Sequence, residues 1–404
     1  MLKEIIAICV AALLSFPSAS GCSLRPERFG AVGDGVNDDA PAFNKCLSLG
    51  VPIKLTKGKT YLLNSYLEPI TSERFELRGG GASLVVGDSY PLSGMDRILR
   101  FHNGDHTREA FLLSDLNVHY LLGCKCTPRQ QDAYFICIDN CAEVKLNNIR
   151  FDSPGQKNKL AFLVCFGSAS LEMKNCDISV LSPGCEGGVL WFMNRFMPRS
   201  TVNLEKCRFV QDTIDETICF SALELVDINA CRIEANVVGC DFISPCEGRS
   251  SGFLMAYNHF PSPAGIHVSF RDCSFTAKGR YPRRIMSYQM GEDPDFRYAR
   301  IHSEFDNCRF DFDSEILSDE GMLSLPFLAN RPWDDCLYSF SGCKFKIKGT
   351  HPLIGDRDGN KAGAYEFSDC EVEIEGNEPF TKTYNVPTSK IYISVNGKKL
   401  TKLK

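Results

Sequence analysis

The sequence has little net charge, little tryptophan and no long apolar segment after its first 22 residues. Its 404 residues carry 45 Lys and Arg against 50 Asp and Glu, and it has only 2 Trp. A net charge of −5 lacks the positive field that nucleic-acid binding requires, so we expect no nucleic-acid partner. Hydrophobic residues at 44% are nevertheless sufficient for a globular core.

Cysteine is abundant, with 20 residues, but the spacing that is typical of metal sites is missing. Zinc sites need convergent C-x₂₋₄-C pairs, often with histidine. Only Cys124-x-Cys126 and Cys137-x₃-Cys141 come near this pattern. We therefore predict no metal site and no cofactor. The run GDRDGNKAG at 355–363 resembles a calcium loop, but it lacks the later acidic ligand, and a solvated turn is the favoured interpretation.

Residues 1–21 have the pattern of a secretory signal peptide. One Lys precedes a short apolar run at 5–14, and small residues follow. The string ASGC at 19–22 also resembles a bacterial lipobox, although the usual Leu three positions before the cysteine is missing. We expect an exported protein that is secreted, periplasmic or attached to the cell surface. Attachment to a membrane would require a lipid on Cys22.

A cysteine-centred pattern recurs along the chain. An apolar residue lies three positions before each of these cysteines, and another lies two positions after it. Leu116 and Ile149 replace the cysteine in two earlier copies, and the nine copies are 33, 27, 31, 33, 33, 35, 35 and 27 residues apart. The cysteines of this ladder are Cys176, Cys207, Cys240, Cys273, Cys308, Cys343 and Cys370.

The residue just before each ladder position favours a left-handed backbone corner. Eight of these nine residues are Asn, Asp or Gly, which accept the left-handed conformation at the least cost, and Lys206 is the exception. Each copy is therefore predicted to be a strand, a corner and a second strand, and a further apolar patch supplies a third strand. The predicted corners are Asp115, Asn148, Asn175, Lys206, Gly239, Asp272, Asn307, Gly342 and Asp369.

Three short strands per repeat predict an all-β fold, a single-stranded right-handed parallel β-helix of about ten coils with a short N-terminal capping helix. A leucine-rich repeat would need a different leucine pattern at a shorter spacing, which the chain lacks. We assign residues 1–21 to the signal peptide, 22–50 to the N-terminal capping segment and helix, 51–375 to the β-helix and 376–404 to a C-terminal cap or hairpin.

The string FGAVGDGVNDD at 29–39 resembles the N-terminal signature of the pectate-lyase-like superfamily of right-handed parallel β-helix proteins. That superfamily includes rhamnogalacturonase- and epimerase-like proteins, polygalacturonases and phage tailspikes, and the resemblance continues through RGGG at 78–81. It implies that this motif opens and caps the β-helix, and Asp38 or Asp39 is expected to cap the following helix. The N-T-D, G-H-G and R-I-K strings of polygalacturonases and the tripartite signature of pectate lyases are absent. The resemblance therefore implies the fold and the substrate class and leaves catalysis open.

Three polar and aromatic loops, at 257–265, 288–300 and 330–336, are predicted to be neighbours that line one groove. Paired carboxylates with arginine and aromatic platforms are what glycan binding and glycosidic cleavage require. The loop at 193–201 adds Asn194, Arg195 and Arg199 as polar candidates. The candidate catalytic residues are Asp334, Asp335, Asp293 and Asp295, and the candidate substrate-binding residues are Trp333, Arg331, Arg297, Tyr298 and His259.

The expected function is that of an exported polysaccharide-active protein that cleaves or binds acidic glycans through loops on the first-strand face. A polysaccharide lyase and a glycoside hydrolase are both open as activities. The alternative is a non-catalytic β-helix protein that is carbohydrate-binding, adhesive or tailspike-like. A polysaccharide is the expected partner, and the oligomeric state stays open.

The signal-peptide pattern predicts where the mature protein begins. We expect the exported protein to begin near Gly21 or Cys22, because small residues at this point fit the cleavage rule. N-terminal sequencing of protein recovered outside the cytoplasm checks this. An intact Met1 would contradict it, and a blocked, lipid-bearing Cys22 would favour the lipoprotein interpretation.

Overall fold

The fold is described by a computed structural model. It describes residues 23–400 except 92–96, 102–105, 121–132, 154–159, 182–186, 196, 213–219, 228–230, 246–251, 259–264, 281–284, 289–300, 315–322, 325–335, 349–353, 356–363, 376–389 and 396–397.

A short 3-10 helix at Pro26–Phe29 and one α-helix, α1 (Ala40–Ser48), lie at the N-terminal end. All other regular elements are strands. In chain order the strands are β1 (Asp34–Asp38), β2 (Ile53–Lys54), β3 (Thr60–Leu63), β4 (Arg74–Val86), β5 (Arg97–Phe101), β6 (Arg108–Tyr120), β7 (Ala133–Asp139), β8 (Cys141–Ser153), β9 (Leu160–Phe166), β10 (Ser170–Lys174), β11 (Asp177–Leu181), β12 (Gly187–Asn194), β13 (Arg199–Glu205), β14 (Arg208–Asp212), β15 (Phe220–Asp227), β16 (Arg232–Val238), β17 (Asp241–Ser244), β18 (Gly252–Asn258), β19 (Ile266–Arg271), β20 (Ser274–Gly279), β21 (Met286–Tyr288), β22 (Ile301–Asp306), β23 (Arg309–Ser314), β24 (Leu323–Ser324), β25 (Cys336–Ser341), β26 (Lys344–Lys348), β27 (Ile354–Gly355), β28 (Ala364–Glu375), β29 (Lys390–Val395) and β30 (Lys398–Leu400).

The described strands form two sheets, and almost every pairing is parallel. The longer sheet has 21 strands and bends at the left-handed corners, so that each repeat contributes one arm before its corner and one arm after it. The second sheet has nine strands, in the order β27-β24-β21-β18-β15-β12-β9-β7-β5. Strands of the two sheets alternate along the chain, and each strand pairs with its counterpart in the next repeat. This connectivity confirms the predicted parallel β-helix. Only β29 and β30 pair in antiparallel fashion among the described strands.

Every predicted corner has a left-handed backbone. The φ angles of all nine corner residues lie between 52° and 60°. Gly80, in the RGGG string, has a φ of 59° and adds a further corner before the first predicted one. Lys206 is the one corner residue whose side chain offers no local reason for this conformation, since its φ of 52° is ordinarily adopted by Gly, Asn or Asp.

The cysteine ladder runs along the inside of the β-helix, and all seven members are buried as predicted. Each thiol lies near the carbonyl oxygen two residues before it. In Cys308 the Sγ atom is 3.4 Å from the oxygen of Asp306 and 3.6 Å from that of Phe270 in the preceding repeat. The neighbouring thiols of Cys273 and Cys343, together with burial, raise the pKa of Cys308 far above its usual value. The ladder is therefore a column of small, buried side chains.

Phenylalanines form two stacked columns next to the thiols. Within each column the ring centroids are 4.5 to 5.3 Å apart, and the ring planes differ by at most 13°. Parallel strands in register impose this spacing, because the same position recurs about every 4.8 Å. The first column is Phe209, Phe242, Phe275, Phe310 and Phe345, and the second is Phe270, Phe305, Phe340 and Phe367.

The two aspartates of the N-terminal signature have different structural roles. Asp39 is buried, and its carboxylate accepts hydrogen bonds from the backbone N–H groups of Val32, at 2.7 Å, and Leu62, at 3.3 Å. Asp39 therefore links the backbone at Val32 and Gly33 to β3, and its side chain does not cap α1. Asp38 accepts from the backbone N–H of Ala40 at 3.1 Å, so Asp38 contributes the hydrogen bond at the start of α1.

The ladder predicts a cost for replacing a thiol by a hydroxyl. Cys308→Ser is expected to lower the free energy of unfolding by about 1–3 kcal/mol, because a shorter C–O bond leaves the hydroxyl at the margin of hydrogen-bonding range from its two carbonyls. Urea denaturation measures this change. Arg309→Ser, on the exposed neighbouring position, should change stability by less than about 0.5 kcal/mol. Equal stability of Cys308→Ser and wild type would contradict the assigned burial.

The left-handed backbone of Lys206 leads us to expect that glycine at this position stabilises the protein. Lys206→Gly is expected to raise the free energy of unfolding by about 0.5–1 kcal/mol. Glycine adopts the left-handed conformation without strain, and this gain exceeds the extra conformational entropy that glycine loses on folding. The control is Lys174→Gly at the end of β10, where the backbone is not left-handed, and it should lose about 0.5–1 kcal/mol. Thermal and urea denaturation of both variants compare the two effects. A loss of stability in Lys206→Gly would show that the corner is not strained.

Candidate functional site

The candidate residues of the three sequence-predicted loops lie outside the described residues. The calcium-like run at 355–363 lies outside them as well, apart from Gly355 at the end of β27. The roles assigned to these residues stay predictions. The residues concerned are Asp334, Asp335, Asp293, Asp295, Trp333, Arg331, Arg297, Tyr298 and His259.

A different set of polar and aromatic side chains meets on the second sheet. The register places Arg100 beside Cys137, Cys137 beside Val164, and Val164 beside Trp191 on successive strands from β5 to β12. Phe166 lies two residues after Val164, so both side chains share one face of β9. Cys165, between them, belongs to the buried core. Cys137 and Val164 are buried in the core as well, whereas Arg100, Trp191 and Phe166 are partly exposed.

Phe166 is the centre of this group. The guanidinium carbon of Arg195 lies 4.8 Å from the centroid of its ring, and that of Arg97 lies 5.4 Å from it. Trp191 meets the same ring edge-on at 5.7 Å. Such distances are those of cation–π and aromatic contacts. Tyr134 in turn lies 6.2 Å from Trp191. We name this group the arginine–aromatic cluster, comprising Arg97, Arg100, Tyr134, Phe166, Trp191 and Arg195.

Three positive charges converge in the arginine–aromatic cluster. Burial raises the pKa of the Cys137 thiol far above its usual value, while the charges of Arg97, Arg100 and Arg195 all oppose that rise. The charge of Asp139, two residues further along β7, raises the pKa of Cys137 further. All three guanidinium charges therefore act on this one buried thiol, and two of the groups, those of Arg97 and Arg195, lie over the same Phe166 ring.

Several hydrogen-bond donors of the cluster are buried without an acceptor. Among the described residues, the Nε atoms of Arg97 and Arg100 and the Nε1 atom of Trp191 have no hydrogen-bond partner. A buried unsatisfied donor costs on the order of 1–3 kcal/mol, so such groups are rare unless a ligand or water completes them. The side chains of all three residues are still partly exposed to solvent. Solvent reaches other atoms of these side chains, while the three donor atoms themselves are buried.

Carboxylates lie at the border of the cluster. Glu224 on β15 is the register neighbour of Trp191, and Asp227 is the register neighbour of Asn194. Both are buried. The carboxylate of Asp227 accepts a hydrogen bond from the backbone N–H of Cys231 at 2.9 Å.

The three polar candidates of the loop at 193–201 are separated by the fold. Asn194 is fully buried, so it does not reach a ligand directly. Arg195 belongs to the arginine–aromatic cluster. Arg199 lies on β13 of the longer sheet, where its exposed side chain forms an ion pair with Glu234. Only Arg195 of the three is placed where it can contact a ligand at this site.

Most of the cluster was not among the sequence-predicted site residues. Trp191 falls in the run GVLWFM, and Phe166 falls in LAFLVCF, both of which were interpreted only as core strands. The signal lay in large or charged residues at one register position of these otherwise apolar strands. Arg100 in RILRF, Trp191 and Glu224 in SALELV occupy that shared position.

The described residues hold no group of three or more His, Cys, Asp or Glu side chains that is arranged to bind a metal ion. Within the same residues, no helix is long and apolar enough to cross a membrane.

Comparison with known proteins shows a likeness of fold. No family model and no curated protein sequence matches the chain. ORF18 of Geobacillus virus E2 is 11% identical with a TM-score of 0.50, over 85% of this chain and 61% of that one. PfbA, a surface adhesin of Streptococcus pneumoniae, is 10% identical with a TM-score of 0.45, over 94% of each chain. An endo-xylogalacturonan hydrolase from Aspergillus tubingensis is 13% identical with a TM-score of 0.42, over 91% of this chain and 100% of that one.

At these identities the likeness concerns the fold alone. The chain has the parallel β-helix fold that the N-terminal signature implied, and function has to be argued from the site.

Proposed function

We propose that the protein binds a carboxylate-bearing polysaccharide on the outer face of the second sheet, through the arginine–aromatic cluster. The observation that carries the proposal is the convergence of Arg97 and Arg195 on the ring of Phe166, with Trp191 against its edge. Arginine supplies the bidentate geometry that recognises a carboxylate. Aromatic rings supply flat, partly apolar surfaces against which a sugar ring packs.

The physical state of the arginines supports an anionic ligand. Guanidinium groups that lie close together repel one another, and their partial burial weakens the screening by water. A ligand carboxylate would bring a negative charge and two acceptor oxygens to the guanidinium groups that lie over Phe166. A neutral glycan would supply hydroxyl acceptors but no compensating charge, so acidic glycans are expected to bind more tightly.

The extended form of the site supports a polymeric ligand. Side chains of the cluster come from β5, β7, β9 and β12, which are successive strands of one parallel sheet. Neighbouring strands are about 4.8 Å apart, so the cluster spans on the order of 15 Å across the coils. A surface of this length suits several consecutive sugar units better than one monosaccharide.

We further propose that this activity takes place outside the cytoplasm, on the basis of the signal-peptide pattern at 1–21. Cleavage of the glycan stays a prediction that rests on Asp293, Asp295, Asp334 and Asp335. A non-catalytic binder and an enzyme would share the same arginine–aromatic recognition. Reducing ends would identify a hydrolase, unsaturated products a lyase, and retention without products a binder.

The proposed function predicts the effect of two substitutions. Arg195→Gln and Trp191→Ala are each expected to weaken binding to polygalacturonate about tenfold or more, since tenfold corresponds to about 1.4 kcal/mol and each removes a direct contact. Isothermal titration calorimetry or affinity electrophoresis in a polygalacturonate gel measures the change, and circular dichroism checks the fold.

Arg199→Gln is the matched control, because it removes the same charge from the longer sheet. It should leave binding within about twofold of wild type, as exposed and distant charges contribute little. Equal losses in Arg195→Gln and Arg199→Gln would indicate nonspecific charge attraction. Unchanged binding in both Arg195→Gln and Trp191→Ala would contradict this site.

A further inference from the structure

The turn that follows β12 is fastened by one buried side chain. Asn194 is fully buried, and its Nδ2 donates a hydrogen bond of 2.9 Å to the carbonyl oxygen of Met197. Its Oδ1 accepts a hydrogen bond of 3.1 Å from the backbone N–H of the same Met197. The amide thus satisfies both backbone groups of a residue three positions away. These two hydrogen bonds fix the positions of Asn194 and Met197 relative to each other.

Arg195 is the first residue inside this fastened turn. Its Nε atom lies 3.3 Å from the Sδ atom of Met193, and its guanidinium carbon lies 4.8 Å from the centroid of the Phe166 ring. Met193 and Phe166 are register neighbours on β12 and β9. A long arginine side chain has many rotamers, so a defined starting backbone strongly restricts where its charge can lie.

The adjacent strand, β15, has a carboxylate at the position that corresponds to Asn194. Asp227, the register neighbour of Asn194, accepts one hydrogen bond from the backbone N–H of Cys231. A carboxylate has no donor, whereas the bond to the Met197 carbonyl requires one. Asn194 can therefore bond both backbone groups of Met197, whereas an ionised aspartate could bond only the N–H.

We infer that Asn194 is a positioning residue that holds Arg195 over Phe166 and thereby sets the anion-binding geometry of the arginine–aromatic cluster. This inference rests on the proposed function for its consequence in glycan binding. The arrangement of Arg195 itself can be tested without any glycan. Asn194 touches no ligand in this account, and it acts only through Arg195.

Quenching of tryptophan fluorescence provides the ligand-free test. The chain has two tryptophans, so a Trp333→Phe background leaves Trp191 as the single fluorophore. Iodide is an anion that nearby positive charge attracts, whereas acrylamide is neutral. The ratio of the iodide to the acrylamide quenching constant therefore reports the positive charge beside Trp191. Arg195→Gln should lower this ratio by about twofold, the size expected for one partly screened charge.

Asn194→Ala is expected to lower the ratio by the same amount, and the double variant Asn194→Ala/Arg195→Gln should show no further decrease. Asn194→Asp retains the acceptor but loses the donor and adds a negative charge, so it should lower the ratio at least as much as Asn194→Ala. Asn203→Ala, an exposed asparagine of the longer sheet, is the control that should change nothing. An unchanged ratio in Asn194→Ala and Asn194→Asp would overturn the inference, and so would a further decrease in the double variant.

The same variants, with Trp333 retained, are then titrated with polygalacturonate. Asn194→Ala should weaken binding by the same factor as Arg195→Gln, and the double variant should be no weaker than either. A merely structural role would instead weaken binding further when the two changes are combined. If the quenching ratios behave as expected but wild type does not bind polygalacturonate, the positioning role stands and the proposed function fails.

Discussion

Parallel stacking of the coils brings the same position of successive repeats to within about 4.8 Å of one another, and each repeat has to turn its chain at the same point. A residue with a left-handed backbone supplies that turn in every repeat from Gly80 to Asp369. A buried apolar side chain follows each of the nine predicted corners, and in seven repeats it is a thiol. Beyond the thiol, phenylalanines stack in columns, since in-register aromatic rings at this spacing gain contact over their whole faces.

The same register controls the outer surface. Side chains at the same position of successive repeats lie next to one another and form a column across the coils. A column of arginine and aromatic side chains offers an extended surface to a ligand. On the longer sheet the outward columns carry mixed charges that pair across coils, as in Lys278 with Asp311 and Arg208 with Asp177. On the second sheet the positive charges instead converge around Phe166. This difference separates a solvated scaffold face from a face suited to an anionic ligand.

The sequence permitted prediction of the repeats, their corners and the buried cysteines, because each depends on short-range constraints. A left-handed backbone restricts the residue type directly, and inward positions tolerate only apolar side chains of limited size. The cluster could not be predicted in the same way. The third strand of each repeat is apolar on both faces, so periodicity did not separate the outward Trp191 from the inward Phe192. The meeting of Arg97 and Arg195 over Phe166 depends on the exact register of β5, β7, β9 and β12, which begin at residues 97, 133, 160 and 187.

Hydroxyl-radical footprinting can locate a bound glycan on the β-helix without any amino-acid substitution. The protein is oxidised with and without polygalacturonate, and mass spectrometry reports the modification of each side chain. We predict protection of the partly exposed Trp191 and Phe166 on the second sheet, with His267 and His302 on the longer sheet unchanged. Protection of the histidines with unprotected Trp191 would contradict the claim that the arginine–aromatic cluster is the binding site.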